Sequence, residues 1–404
     1  MMKPIAMLNP RYHMKKMVLA CTVASLLVTT GCGKTLKPEA KKPVKLVEVT
    51  APQATLQPIF SVSVEESRLK RGEKLSKKDL LDLQIGTEAN TMVLASRTGT
   101  VVGYVGSQKA WSVSVGEPIV SGVGFDGGSG TAIVSTRSGK VVALDAETGA
   151  VRWTQDLKAT VLTPAVVAGN RVLLSANNGV LHGLNLQSGA PIWQFSTQSP
   201  NVSVRGTAKP LRLDGSTALF GTADGRIHAI NSDSGSPLWT RRIGVAIGGS
   251  DVGRMSDVDG TPLVVGNYLY VTSYSGSLSG FDMSTGQVLF TVRDFPSTHP
   301  VAFVGGVLMG ADTDGMVYGF DPMTGERLWQ NNALTHRKPS APVAVGNYVA
   351  FGDYEGYVHL FTKDGNLVAR TQAKDKGQIV SLQARQNRLY AQTTTGQAVV
   401  WQVQ

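Results

Sequence analysis

The segment TPAVVAGNRVLLSANNGVLHGLNLQSGAPIW, residues 163–193, contains the unit from which most of this chain is built. Apolar residues alternate with polar ones at residues 171–176 and 180–186, which predicts two half-buried β-strands. Gly179 lies in the turn between them, a second glycine follows ten residues later, and Trp193 comes four residues after that. The unit therefore predicts short antiparallel strands joined by tight turns.

This unit recurs eight times along the 404 residues. The first turn glycines are Gly99, Gly139, Gly179, Gly225, Gly276, Gly315, Gly356 and Gly396. In five units an aromatic residue follows the second glycine by four positions, and these residues are Trp153, Trp193, Trp239, Phe290 and Trp329. Repeats of about 40 residues with four strands each are typical of a β-propeller. We expect an all-β, eight-bladed β-propeller of four-stranded antiparallel blades, with the aromatic side chains packed as wedges between adjacent blades.

The two ends of the chain predict how the ring closes. The last unit, which ends with the segment GQAVVWQVQ, contains only three strands, whereas the segment FSVSV at residues 60–64 closely repeats the outer strand WSVSV of the first blade. We therefore expect residues 59–64 to form the outer strand of blade eight, so that the propeller comprises residues 59–404. Pairing the N-terminus with the C-terminus would also cover an exposed strand edge.

The N-terminus has the organisation of a secretory signal. Lys15 and Lys16 precede fourteen apolar or small residues, and small residues precede Cys32, as in a bacterial lipobox. The sequence predicts a signal peptide at residues 1–31, with Met14 as an alternative start, and acylation of Cys32, for example by palmitate. Residues 32–58 are then expected to be a flexible tether. An ordinary cleaved signal peptide, without acylation, is the alternative. The two cysteines of the chain are Cys21 and Cys32, so the propeller at residues 59–404 contains none.

Charge separates this chain from nucleic-acid-binding proteins. The formal net charge is +10, but residues 79–404 hold 24 basic and 24 acidic side chains. The excess of basic residues therefore belongs to the N-terminal 78 residues, where it is available to anionic headgroups. A neutral propeller lacks the basic surface that tracks a phosphate backbone, so no nucleic-acid partner is expected.

The sequence D-x-x-T-G-x-x-x-W, at residues 145–153 and 321–329, resembles the repeats of quinoprotein dehydrogenases. Together with the lipobox, the eight units and the isolated outer strand, the chain resembles the BamB family, the lipoproteins of the outer membrane β-barrel assembly machinery. The resemblance implies a non-catalytic scaffold that is lipid-anchored to the outer membrane, faces the periplasm and aids insertion of β-barrel proteins. It also implies a periplasmic POTRA domain of BamA as the partner, within the barrel assembly complex, with unfolded outer membrane proteins as further partners.

Two neighbouring units are longer than the others, and their extra residues lie in the connections from one blade to the next. These connections contain VSVRG at residues 202–206 and RMSDVD at residues 254–259. Apolar and charged residues close together are typical of a binding hot spot, in which Arg is a favoured anchor. The segments resemble the two partner-binding loops of the family, so the candidate partner-binding residues are Val202, Val204, Arg205, Arg254, Asp257 and Asp259. A salt bridge that only orders the loops is the alternative.

A quinone-dependent dehydrogenase is the competing function. The resemblance implies a vicinal disulfide, calcium ligands and a catalytic aspartate for such an enzyme, and the propeller contains no cysteine. His182, His228 and His359 share one strand position, but other blades have different residues there, so we interpret the histidines as ordinary strand residues; those residues are Val102, Val142, Ser279 and Tyr318. We expect no catalytic residue, no cofactor and no metal site. Another kind of propeller interaction module remains an alternative, and the insertion at residues 65–84 is either a second partner contact or a solvated turn.

Overall fold

The computed structural model describes residues 41–64, 84–88, 90–197, 208–243, 258, 260–273 and 276–404. They form eight four-stranded antiparallel sheets arranged as the blades of a propeller, so the predicted fold class is confirmed. First strands of neighbouring blades contact each other along the described chain, for example in blades one, two and three, and therefore form the inner ring. No helix of the described ranges is long and apolar enough to cross a membrane.

The strands follow one another in chain order from the centre of each blade outwards, apart from the first strand, β1 (Leu56–Ser63). Blade one is β2 (Gly86–Glu88), β3 (Thr91–Ala95), β4 (Thr100–Val105) and β5 (Gln108–Ser114). Blade two is β6 (Gly124–Asp126), β7 (Thr131–Ser135), β8 (Lys140–Asp145) and β9 (Val151–Asp156). Blade three is β10 (Val166–Ala168), β11 (Arg171–Ser175), β12 (Val180–Asn185) and β13 (Pro191–Ser196). Blade four is β14 (Leu211–Arg212), β15 (Thr217–Gly221), β16 (Arg226–Asn231) and β17 (Pro237–Arg242).

The second half of the ring repeats this arrangement. Blade five is β18 (Leu263–Val265), β19 (Tyr268–Ser273), β20 (Ser277–Asp282) and β21 (Val288–Arg293). Blade six is β22 (Ala302–Val304), β23 (Val307–Ala311), β24 (Val317–Phe320) and β25 (Arg327–Asn331). Blade seven is β26 (Val343–Val345), β27 (Tyr348–Gly352), β28 (Tyr357–Thr362) and β29 (Leu367–Gln372). Blade eight is β30 (Ile379–Arg385), β31 (Arg388–Thr393), β32 (Gln397–Val403) and, as its outer strand, β1.

The turn chemistry explains why the repeat has this sequence. All eight first-turn glycines have φ between +75° and +100°, a conformation that residues with a β-carbon rarely adopt. In the turn between the third and fourth strands of blade two, Oδ1 of Asp145 accepts hydrogen bonds from the backbone N and the hydroxyl of Thr148, both at 2.9 Å. A hydrogen bond from Arg152 and those from Thr148 lower the pKa of Asp145 to about 2. The aspartate and threonine of the repeat therefore fix the turn.

The apolar core is divided into eight layers, one in each gap between neighbouring blades. The layer between blades two and three, for example, contains Val141, Trp153, Val172 and Leu184. Each blade therefore contributes one face to the layer before it and the other face to the layer after it. Since a blade buries both faces only when the ring is complete, closure matters to every layer.

Ring closure by the N-terminal strand is confirmed. β1 pairs antiparallel with β32, from Leu56 opposite Val403 to Ser63 opposite Gln397. The strand covers residues 56–63 rather than the expected 59–64, because a register shift between Pro58 and Phe60 lets pairing continue past the proline. Side chains of β1 also pack into the layer between blades eight and one.

The segment before β1 is held against the propeller. Val44 N donates a hydrogen bond to the carbonyl of Thr335 at 3.1 Å, and Arg337 donates back to the carbonyl of Val44 at 3.1 Å. Further along, Arg370 donates to the carbonyl of Val47 at 2.8 Å. Part of the segment predicted to be a tether, from Val44 onwards, is therefore attached to blades six and seven. Residues 1–40, with the expected signal peptide and Cys32, and residues 65–83 lie outside the described residues.

Candidate functional site: the blade-four face

The two long connections leave and re-enter the ring on either side of blade four. The first joins β13 to β14, and the second joins β17 to β18. Both run from an outer strand to the next inner strand, so their described ends lie on the face of the ring that carries the first turn glycines. The predicted partner-binding residues lie outside the described residues, and they are Val202, Val204, Arg205, Arg254, Asp257 and Asp259. The described residues that hold the two connections therefore define the site.

Described residues of both connections pack against one glycine, Gly221 of β15, and we call this contact their common footing. Ala208, near the end of the first connection, and Val258, in the second, are at most 1% exposed. A β-carbon at Gly221 of β15 would lie 2.6 Å from Cγ1 of Val258 and 2.8 Å from Cβ of Ala208. Only glycine allows both side chains to approach the strand this closely. The two connections are thus brought together at the end of β15; we call this arrangement the blade-four face.

Backbone hydrogen bonds fix the second connection at both ends. Ile243 N donates to the carbonyl of Gly225 at 2.8 Å where the connection begins. Val258 N donates to the carbonyl of Thr222 at 3.2 Å near its end. Both acceptors belong to the turn between β15 and β16, so this turn binds the connection near its beginning and near its end.

The turn itself is stiffened by polar side chains. The Thr222 hydroxyl donates to Oδ1 of Asp224 at 2.5 Å and lies 3.1 Å from the carbonyl of Arg226. The guanidinium of Arg226 forms an ion pair with Asp224, and both side chains are largely buried. A partly buried ion pair with these added hydrogen bonds gives a rigid support rather than a reactive group.

The three histidines at equivalent strand positions lie in different surroundings. His228 Nδ1 is 2.9 Å from the Thr240 hydroxyl, and His359 Nε2 is 3.0 Å from Oδ2 of Asp353. Neither ring nitrogen of His182 has a hydrogen-bond partner among the described residues, and burial lowers the pKa of this side chain. Within the described ranges no three His, Cys, Asp or Glu side chains come together as metal ligands. The three histidines therefore have separate surroundings, and their shared strand position does not bring them together as one site.

Sequence reasoning missed Gly221 as a supporting residue. The position four residues before the turn glycine is Ser135 in blade two and Ser175 in blade three, but glycine in blades four and seven, as Gly221 and Gly352. Only in blade four does this glycine lie next to the two long connections, and that combination is the signal that could have identified the footing.

Comparison with known proteins identifies the family. The family model described as outer membrane protein assembly factor BamB matches residues 93–331, which is more than half of the chain. The chain belongs to the BamB family. The crystal structure of BamB from Moraxella catarrhalis is 43% identical, covers 86% of this chain and 100% of that chain, and superposes with a TM-score of 0.80. The resemblance stated from the repeats, the lipobox and the outer strand is thereby confirmed.

Curated relatives give the same result. BamB of Shewanella oneidensis is 29% identical over 66% of this chain and 67% of that protein. BamB of Burkholderia pseudomallei is 29% identical over 76% of this chain and 71% of that protein. A europium-containing methanol dehydrogenase is 14% identical with a TM-score of 0.61, which shows a shared fold and nothing further. As a BamB family member the chain is a non-catalytic assembly factor, and the dehydrogenase alternative is not supported.

Proposed function

We propose that this BamB-type assembly factor is a periplasmic scaffold of the outer membrane β-barrel assembly complex, anchored by acylated Cys32, and that its blade-four face binds a POTRA domain of BamA. The partner-binding residues are Val202, Val204, Arg205, Arg254, Asp257 and Asp259. The observation that carries the proposal is the common footing of the two connections on Gly221.

Chain geometry limits how far the proposed residues can lie from that footing. Asp257 and Asp259 flank Val258, so each Cα is about 3.8 Å from a fixed Cα. Arg205 is three residues before Ala208, and its Cα therefore lies within about 11 Å of a fixed point. Arginine and carboxylates from two connections are thus available to one partner domain. Such residues contribute most when the contact excludes water around them.

Binding of the purified propeller to the periplasmic POTRA array of BamA tests the blade-four face. We expect Arg205→Glu to weaken the complex at least tenfold, or about 1.4 kcal/mol, because charge reversal places like charges in the contact. The matched control is Arg388→Glu, since Arg388 is an exposed arginine at the start of β31, at the opposite end of the strands. Unchanged binding by a folded Arg205→Glu variant would exclude this contact.

A second variant tests the footing itself. Gly221→Val places a side chain where Val258 and Ala208 now pack, so the connections must move. We expect weaker POTRA binding although residue 221 is covered by these side chains. If binding is retained in a Gly221→Val protein with native circular dichroism, the common footing is irrelevant to recognition.

The anchor is tested separately in cells. We expect a Cys32→Ser variant to lose incorporation of an alkynyl palmitate analogue and to leave the membrane fraction. Cys21→Ser is the matched control, since Cys21 is the other cysteine of the chain. Loss of label from Cys21→Ser, with Cys32→Ser still labelled, would contradict the assignment.

A further inference from the structure

Five junctions share an aromatic wedge with the same contact, and the junction between blades four and five has a tryptophan without that contact. At five junctions an aromatic ring from an outer strand lies against the second-turn glycine of the next blade; the pairs are Trp111 with Gly149, Trp153 with Gly189, Trp193 with Gly235, Phe290 with Gly325, and Trp329 with Gly365. The four tryptophans also donate their indole N–H to a backbone carbonyl of that turn at 2.7–3.0 Å. The turn therefore accepts a flat ring and one hydrogen-bond donor.

At the junction of blades four and five, Trp239 does not fill this position. The side chain next to Gly286 is Arg241, whose Nη2 would lie 3.0 Å from a β-carbon there. In the described part of the chain, the indole N–H of Trp239 makes no hydrogen bond. Trp239 still packs, half-buried, against the apolar layer between blades four and five, as a wedge between neighbouring blades should. What differs is the contact with the second-turn glycine, where the guanidinium of Arg241 lies instead of a ring.

A cavity of about 220 Å³ lies at this junction, with walls formed by Trp239, Leu269, Phe281 and Met283. An apolar cavity of about 150 Å³ is large enough to bind benzene. The space therefore accommodates a second aromatic ring beside Trp239. Its backbone wall is the kind of turn that holds an indole or phenyl ring at the other junctions.

The rim of the cavity carries one positive and one negative side chain, Arg241 and Asp282. Arg241 is exposed, lies 5.8 Å above the ring of Trp239 and donates to the carbonyl of Thr240. Among the described residues it forms no ion pair. The neighbouring carboxylate, Asp282, already accepts hydrogen bonds from the backbone N and the hydroxyl of Ser284 at 2.8 and 2.5 Å. These hydrogen bonds lower the pKa of Asp282 and hold its ionised carboxylate in the turn. Since no ion pair joins it to Arg241 within the described ranges, the guanidinium can still pair with a carboxylate from outside.

We propose that this cavity is a second binding site, which takes an aromatic side chain of a partner polypeptide with a carboxylate on the adjacent residue. The ring occupies the space between Trp239 and Met283, and the carboxylate pairs with Arg241. The turn at Gly286 lies at the opposite end of the strands from the blade-four face. The site is thus independent of the proposed POTRA contact and can be occupied at the same time.

Three blocked peptides distinguish the ring from the charge: acetyl-Gly-Phe-Asp-amide, acetyl-Gly-Phe-Asn-amide and acetyl-Gly-Ala-Asp-amide. Binding to the intact propeller is measured by saturation-transfer NMR and by titration. We expect the Phe-Asp peptide to bind, the Phe-Asn peptide to bind about threefold to fivefold more weakly, and the Ala-Asp peptide not to bind measurably. Equal binding of the Phe-Asp and Ala-Asp peptides would overturn the role of the ring.

Two variants locate the site. Arg241→Gln should remove the difference between the Phe-Asp and Phe-Asn peptides, whereas Arg242→Gln, with the same change of charge on the next residue, should preserve it. Met283→Trp fills the cavity and should abolish binding of both Phe peptides. If neither Arg241→Gln nor Met283→Trp changes binding, or if wild-type protein binds none of the peptides, the proposal is refuted.

Discussion

Replacing Trp153 and Trp239 separately tests the distinction between a filled and an unfilled junction. Trp153 is 7% exposed, packs against Gly189 and donates its indole N–H to the carbonyl of Leu186 at 2.7 Å. Trp239 is half-buried, faces the cavity and has no such hydrogen bond to a described residue. The same substitution should therefore have different costs at two equivalent positions of the repeat.

The magnitudes follow from burial. We expect Trp153→Ala to lower the free energy of unfolding by about 3–5 kcal/mol, the usual cost of removing a buried large aromatic side chain. Trp239→Ala should cost about 1–2 kcal/mol, because part of the ring already contacts solvent or cavity. Trp153→Phe keeps most of the apolar area but leaves the Leu186 carbonyl without its donor, so we expect a loss of about 1–3 kcal/mol.

Urea denaturation followed by far-ultraviolet circular dichroism measures these differences without using tryptophan emission, which the variants change. A decisive comparison is Trp153→Ala against Trp239→Ala under identical conditions. Equal losses for the two variants would refute the argument that the junctions differ. A Trp153→Phe protein as stable as the wild type would refute the contribution of the indole hydrogen bond.

Three further predictions concern other parts of the ring. Deleting the closing strand at residues 56–63 uncovers the edge of the last blade and should lower the melting temperature and promote self-association, measured by calorimetry and light scattering. Because burial lowers the pKa of His182, the unfolded chain binds more protons than the folded chain below about pH 6.5. The free energy of unfolding should therefore fall as pH drops below this value, by up to about 1.4 kcal/mol per pH unit for this group. His182→Val, which introduces the residue found at the equivalent Val142 of blade two, should reduce this pH dependence in urea titrations at pH 5–8. Arg337→Met leaves Asp353 charged and buried, which should cost about 3–5 kcal/mol, whereas the double variant with Asp353→Leu should recover much of the loss in the same assay.

The ring and its closure could be predicted because they depend on local patterns. Turn glycines need a positive φ, and the period of two marks the strands, so both leave a direct trace in the sequence. The extent of β1 could not be predicted from its similarity to the outer strand of blade one. Pairing continues past Pro58 because Val403 lies opposite Leu56, a contact between the two ends of the chain.

Two further features could not be predicted because they depend on contacts that the sequence pattern does not show: the attachment of the segment before β1 and the packing between blades four and five. Attachment of Val44 depends on Arg337 and Thr335, almost 300 residues away, and a lysine- and proline-rich segment shows no periodicity that would indicate it. The unfilled junction depends on the side chain of Arg241 taking the place expected for Trp239. The repeat alone predicts the ring position but not which side chain occupies it. The partner-binding residues came from resemblance to the family and remain a prediction.

The position of the unfilled junction in the ring explains how the fold tolerates it. Blades four and five lie across an eight-bladed ring from blades eight and one, where Phe60 and Val62 of the closing strand complete the core layer. Each layer is separate, so incomplete packing at one junction leaves the other seven intact. Because the closed ring holds blades four and five from both sides, a half-buried wedge leaves a cavity instead of opening the sheet edges. Two long connections and a cavity can therefore be accommodated around blade four at a local cost in stability, while closure at the opposite side preserves the ring.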